Sequence, residues 1–110
     1  MKKLLFLLLV PAVMFGQRIT YTNLTGAAST DSLSTTANVV SWVESIIINT
    51  QIASDTVIVS DGGTVVATFI FGATPVAGPV AIPIHAQMDG GIVTVQRKKT
   101  SDVTVIWRRR

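Results

Sequence analysis

Residues 55–71 read DTVIVSDGGTVVATFIF, and the fold class turns on them. Two β-branched runs, residues 56–60 and 64–71, are separated by Asp61-Gly62-Gly63. Val, Ile and Thr suit a pleated surface, and Asp-Gly supplies the positive φ of a tight hairpin turn. In the second run Val65, Ala67, Phe69 and Phe71 lie on one side, with Val66, Thr68 and Ile70 on the other. Both sides are largely apolar. That predicts a strand at the centre of a sheet, or one covered by a neighbouring subunit.

Working outward from the hairpin, residues 38–49 (NVVSWVESIIIN) fit two periods. Val39, Val43 and Ile47 would share a helical face, whereas Val40, Trp42, Ile46 and Ile48 alternate as a strand face. The β-branched content, with no Ala, Leu or Lys, favours the strand. Glu44 interrupts that face, so it sits near the sheet end or pairs with a base on another strand. In residues 80–86 (VAIPIHA), Val80, Ile82 and Ile84 face inward and Pro83 removes a ladder donor, which predicts an edge strand. A second Asp-Gly-Gly turn, residues 89–91, leads to a strand over residues 92–96. The last strand covers residues 102–107, with Val103, Val105 and Trp107 on one face. Residues 18–24 (RITYTNL) read as a short first strand, and the hydroxyl-rich residues 25–36 as a loop or flexible arm. About seven short strands at this spacing predict an all-β fold, a small antiparallel β-sandwich of jelly-roll or immunoglobulin-like type.

The N-terminus, MKKLLFLLLVPAVMFG, has two lysines, a short apolar stretch, Pro11 and a small residue at Gly16. It reads as a signal-like helix removed on export, being shorter than the roughly 20 apolar residues that span a bilayer. An uncleaved anchor or a buried strand is the alternative. Three segments result: residues 1–16 signal-peptide-like, residues 17–37 a first strand and Ser/Thr-rich arm, and residues 38–110 the sandwich. No stable transmembrane span is expected after processing.

Charged residues are 14% and apolar ones 48% of the 110 residues, so a packed core is expected. There is no cysteine, which excludes disulfides and thiolate chemistry. The net charge of +3 is unevenly spread. Between Arg18 and Gln96 one base faces Asp31, Glu44, Asp55, Asp61 and Asp89; beyond lie Arg97, Lys98, Lys99, Arg108, Arg109 and Arg110 against Asp102 alone. Together with Trp107 these six bases are the candidate contacts for an anionic partner, nucleic acid or glycan. Whether both clusters share one end of the sandwich decides whether they make a patch; the other reading is a solvated, solubilising end.

The residues argue against an enzyme. His85 is the sole histidine and sits outward on the expected edge strand, which excludes a conventional serine triad or a strong zinc site. Asp55, Asp61, Asp89 and Asp102 lie at turns, where Asp bonds the local backbone. Calcium at Asp61 or Asp89 would lack the alternating acidic ligands of a binding loop. No cofactor is expected.

Taken together, SIIINT (residues 45–50), DTVIVSDGGTVVATFIF (55–71), VAIPIHAQMDGGIVTV (80–95) and DVTVIW (102–107) resemble the small β-sandwich proteins found among bacteriophage virion genes. The resemblance covers about two thirds of the chain and concerns scaffold positions. It implies a non-enzymatic structural or decoration component that assembles with itself or with capsid, tail or other surface subunits. An exported glycan- or ligand-binding module, periplasmic or at the cell surface, is the alternative function, so the location is either the virion or outside the cytoplasm.

Overall fold

Alternation of more and less buried residues marks most of the strands. The computed structural model describes residues 18–110; the signal-like helix expected over residues 1–16 lies outside the described residues. Eight strands and no helix are found among the described residues. They are β1 (Ile19–Leu24), β2 (Ser29–Ser32), β3 (Val40–Thr50), β4 (Thr56–Asp61), β5 (Thr64–Ile70), β6 (Val80–Gln87), β7 (Val93–Arg97) and β8 (Asp102–Arg109). Two antiparallel four-stranded sheets result, ordered β1-β8-β3-β6 and β2-β7-β4-β5. The all-β, sandwich-like architecture matches the expectation.

Both sheets contribute to one core. Leu24, Val43, Ile46, Ile48, Val103, Val105 and Trp107 come from the first, and Val57, Val59, Val93 and Val95 from the second; Met88 fills in between strands. Ile82, Ile84 and Ala86 of β6, and Ala67 and Phe69 of β5, pack against its margin. Burying these branched side chains is the main stabilising term, at roughly 25 cal/mol per Å² of apolar surface removed from water.

Three sequence expectations change. The segment read as an arm contains β2, whose residues STDS carry no apolar signal. Its strand character comes from the ladder with β7, Ser29 opposite Arg97 and Ser32 opposite Thr94. In β3, Val40, Val43, Ile46 and Ile48 are buried while Trp42 lies on the outer face beside Glu44. The register of β3 slips between Val40 and Trp42 and again between Val43 and Ser45, and each slip breaks the simple alternation of faces. Finally, β5 is an edge strand rather than a central one. Its second apolar face is uncovered: Val65, Val66 and Ile70 are exposed. The edge position read from Pro83 for β6 is found.

Both Asp-Gly-Gly turns form, and they stack. Gly62 and Gly63 have φ of +57° and +90°, the two positive values of a tight two-residue hairpin loop between Asp61 and Thr64. The β6–β7 connection brings Gly91 against that loop, with Gly62 N–H donating to the Ile92 carbonyl at 3.1 Å. A Cβ on Gly91 would lie 2.6 Å from Gly62 Cα and 2.7 Å from its nitrogen, both backbone atoms. Gly91→Ala is expected to cost about 1–3 kcal/mol, as for overpacking in general. Gly72→Ala, where a Cβ meets nothing within 4 Å, should be near neutral. Urea unfolding of the two variants checks the contrast; equal midpoints would refute it.

Candidate functional site

The seven candidate contacts do not form one patch. Alternation along β7 turns Val93, Val95 and Arg97 inward, leaving Arg97 only 2% exposed. Its two terminal nitrogens donate to oxygen acceptors: the carbonyls of Ser101 at 2.8 Å, Ala27 at 3.0 Å, Thr25 at 3.1 Å and Gly26 at 3.4 Å, and Ser29 Oγ at 3.2 Å. Arg97 therefore fastens the β1–β2 loop to the β7–β8 loop. Trp107 is likewise a core residue, 3% exposed, with its indole N–H donating to Thr22 Oγ1 at 3.0 Å. Neither reaches a surface partner as placed.

The remaining bases fall at opposite ends. Lys98 and Lys99 are exposed at the β7–β8 turn, with Lys99 Nζ donating to the Ala53 carbonyl at 3.0 Å. Arg108, Arg109 and Arg110 lie at the far end of β8, seven residues beyond its start at Asp102. At the rise of a strand that is about 23 Å, well past a Debye length at physiological salt. The sequence held the charges but could not place the two ends of β8.

Asp55 is the second buried charge at the Lys98–Lys99 end. Its carboxylate accepts the backbone N–H groups of Thr56 and Lys99, each at 2.7 Å, and of Ser101 at 3.1 Å. Burial alone would raise its pKa. The Ser101 hydroxyl and the three backbone donors outweigh that and hold it below the ordinary 3.8. Local backbone bonding, expected of the turn aspartates, is what Asp55 does. Asp61 also bonds backbone, its Oδ2 accepting Asp89 N–H at 2.7 Å.

On the outer face of the first sheet Glu44 is paired across strands, one of the two arrangements expected for it. It accepts the Trp42 indole N–H at 2.8 Å and lies 3.4 Å from Arg108 Nη2 on β8 and 3.1 Å from His85 Nδ1 on β6. His85, with a side chain 59% exposed, has φ of +50°, a left-handed value unusual for a residue with a Cβ. Beside this cluster Ser41, Trp42, Gln87, Arg108 and Arg110 line a shallow depression of about 180 Å³. The sequence missed it because it placed Trp42 inside. The usable signal was the Trp-x-Glu spacing, which puts a donor and a carboxylate on one face of a strand.

Among the described residues no three or more His, Asp or Glu side chains gather where a metal ion would sit, and no helix is long and apolar enough to cross a membrane. Comparison of the chain with protein-family models, curated proteins and solved structures gave no match.

Asp55 sets a pH dependence. Its folded pKa lies below the unfolded value, so its contribution is complete above about pH 4 and is lost as pH falls through the folded pKa. Asp55→Asn should lower stability at pH 7 by about 2 kcal/mol, the scale of a charge-assisted hydrogen bond. The gap to the parent chain should narrow as pH drops below about 4, where the unfolded parent's carboxyl takes up a proton that the folded one still resists. Urea titrations at pH 7 and pH 3 measure both; a gap that does not narrow at pH 3 would rule this out. Lys98→Ala, at an exposed site, should shift stability by less than about 0.5 kcal/mol.

Proposed function

We propose that this chain is a non-enzymatic structural protein, a capsid, decoration or tail-associated component of a virion, which works by association of its sheet surfaces with itself or with other subunits. The observation that carries the reading is the set of uncovered apolar side chains. Val65, Val66 and Ile70 crowd one edge strand, Ile70 being 77% exposed, and Ile19 and Tyr21 stand out from β1. Apolar groups scattered singly are ordinary on a surface; several on one short strand suit a binding surface. The strand order 1-8-3-6 facing 2-7-4-5 supports reading the sandwich as an eight-stranded jelly roll, a fold that capsid proteins and lectins share. Lys98 and Lys99 at one end, and Arg109 and Arg110 at the other, would steer the domain toward anionic surfaces, nucleic acid or glycan. The virion, or an exported position at the cell surface, is the location this reading implies.

The depression beside Trp42 favours a second reading, an exported module for acidic glycans. An aromatic ring with Gln87, Arg108 and Arg110 around it matches the chemistry of such a ligand.

Particles banded from the producing host and analysed by mass spectrometry test the first reading. Peptides from this chain should co-migrate with the particles and persist through high-salt washing. Recovery solely in the particle-free supernatant would overturn it. For the second reading, Trp42→Ala should weaken binding to acidic-glycan arrays at least tenfold, and an array with no binding by the parent chain would remove it.

A further inference from the structure

The two sheets have four edge strands, β1, β6, β2 and β5, and they are not equally open. Natural edges are kept from pairing by proline, charge, bulges or shortness. On β6, Pro83 has no N–H to offer and His85 takes φ of +50°. Strand β2 has four residues, one of them Asp31. Strand β1 is six residues long and begins beside Arg18. Strand β5, TVVATFI, is seven residues long and carries neither charge nor proline. Its one irregularity lies near Val66, where the register with β4 slips between Val59 and Ser60.

The phase of the β4–β5 ladder shows which backbone groups are free. Phe71 N–H donates to the Asp55 carbonyl at 2.9 Å, and the register runs on through Val57 opposite Phe69 and Val59 opposite Ala67. In an antiparallel ladder the intervening residues, Thr68 and Ile70, then turn their N–H and C=O groups to the open edge. Their side chains stand on the exposed outer face of the sheet.

We infer that β5 pairs antiparallel with β5 of a second copy of this chain, Thr68 of one opposite Ile70 of the other about a two-fold axis at Phe69. This rests on the association reading above and names its partner. The register uses only the regular part of the strand, and each of its two Thr68–Ile70 pairs exchanges both backbone bonds. Two Phe69 rings, half-buried at the core margin, meet at the axis, where a non-hydrogen-bonded pair brings side chains closest. Charge selects the chain itself as occupant. A two-fold interface sets one patch against its own image, and an uncharged strand does so without repulsion. Arg97 of β7 is buried on carbonyls, and the first exposed base on this sheet, Lys98, follows the end of β7, with β4 between it and the edge. In the paired sheet the two Lys98 positions would be five strand spacings apart, about 24 Å, where salt screens them.

Sedimentation equilibrium of the full chain tests this with Thr68→Pro and Ile70→Lys. By the ladder's phase the Thr68 N–H points to the open edge and serves no ladder bond among the described residues, so proline at this edge position spares the existing ladder. The parent chain should be dimeric at micromolar concentration. Both variants should raise the dimer dissociation constant at least 100-fold with unchanged circular dichroism, whereas Thr30→Lys on the β2 edge should leave it within threefold. A dimer that survives both β5 variants overturns the pairing and leaves association by another surface standing. A parent chain monomeric at every concentration overturns it too, and the broader reading then falls only if the chain is also missing from purified particles. Should Thr68→Pro fail to fold, Ile70→Lys alone decides.

Discussion

Two buried charges of opposite sign, Asp55 and Arg97, hold one end of the sandwich without forming an ion pair with each other. Each is held chiefly by backbone: Asp55 by N–H groups, and the two terminal nitrogens of Arg97 by carbonyls, its buried Nε having no partner among the described residues. Ser101 links them, offering its N–H to the acid and its carbonyl to the base, while its hydroxyl also accepts Ile52 N–H at 3.0 Å. Loops at the end of a sandwich leave polar backbone groups that strands would have paired, and such groups are costly when buried. Here two side chains meet that requirement for three connections at once: β1–β2, β3–β4 and β7–β8. The opposite end uses glycine instead, letting two turns touch backbone to backbone at Gly62 and Gly91.

The sequence carried as much of the fold as local pattern can carry. Period-two alternation located the main strands, Asp61-Gly62-Gly63 fixed the hairpin, and Pro83 marked an edge. What it did not carry was set by distant partners. Strand β2 is polar and exists because β7 offers it a ladder. The side on which Trp42 falls depends on register slips against β8, which neither strand announces alone. Arg97 looked like the first base of an exposed turn. It is instead the last inward residue of β7, and all but one of its acceptors lie about 70 residues earlier in the chain. Composition suggested a surface; topology assigned a core fastener.

This redistribution of charge bears on function. With Arg97 and Trp107 buried, the free bases form two separate spots rather than a cationic face, and attraction to an anion becomes a matter of orientation more than of strength. The uncovered apolar side chains of β5 lie between those ends along a strand with open backbone groups. A small domain without disulfides gains stability from any contact that covers such a surface, so assembly and folding stability are linked in one strand.

Among the described residues β1 pairs with β8 alone: Ile19 lies opposite Arg108 and Leu24 opposite Val103. During synthesis from the N-terminus, β1 therefore waits for that ladder until β8 has been made. Closure of the first sheet therefore waits for β8, and loss of β8 would leave β1 without its ladder and β3 paired on β6 alone.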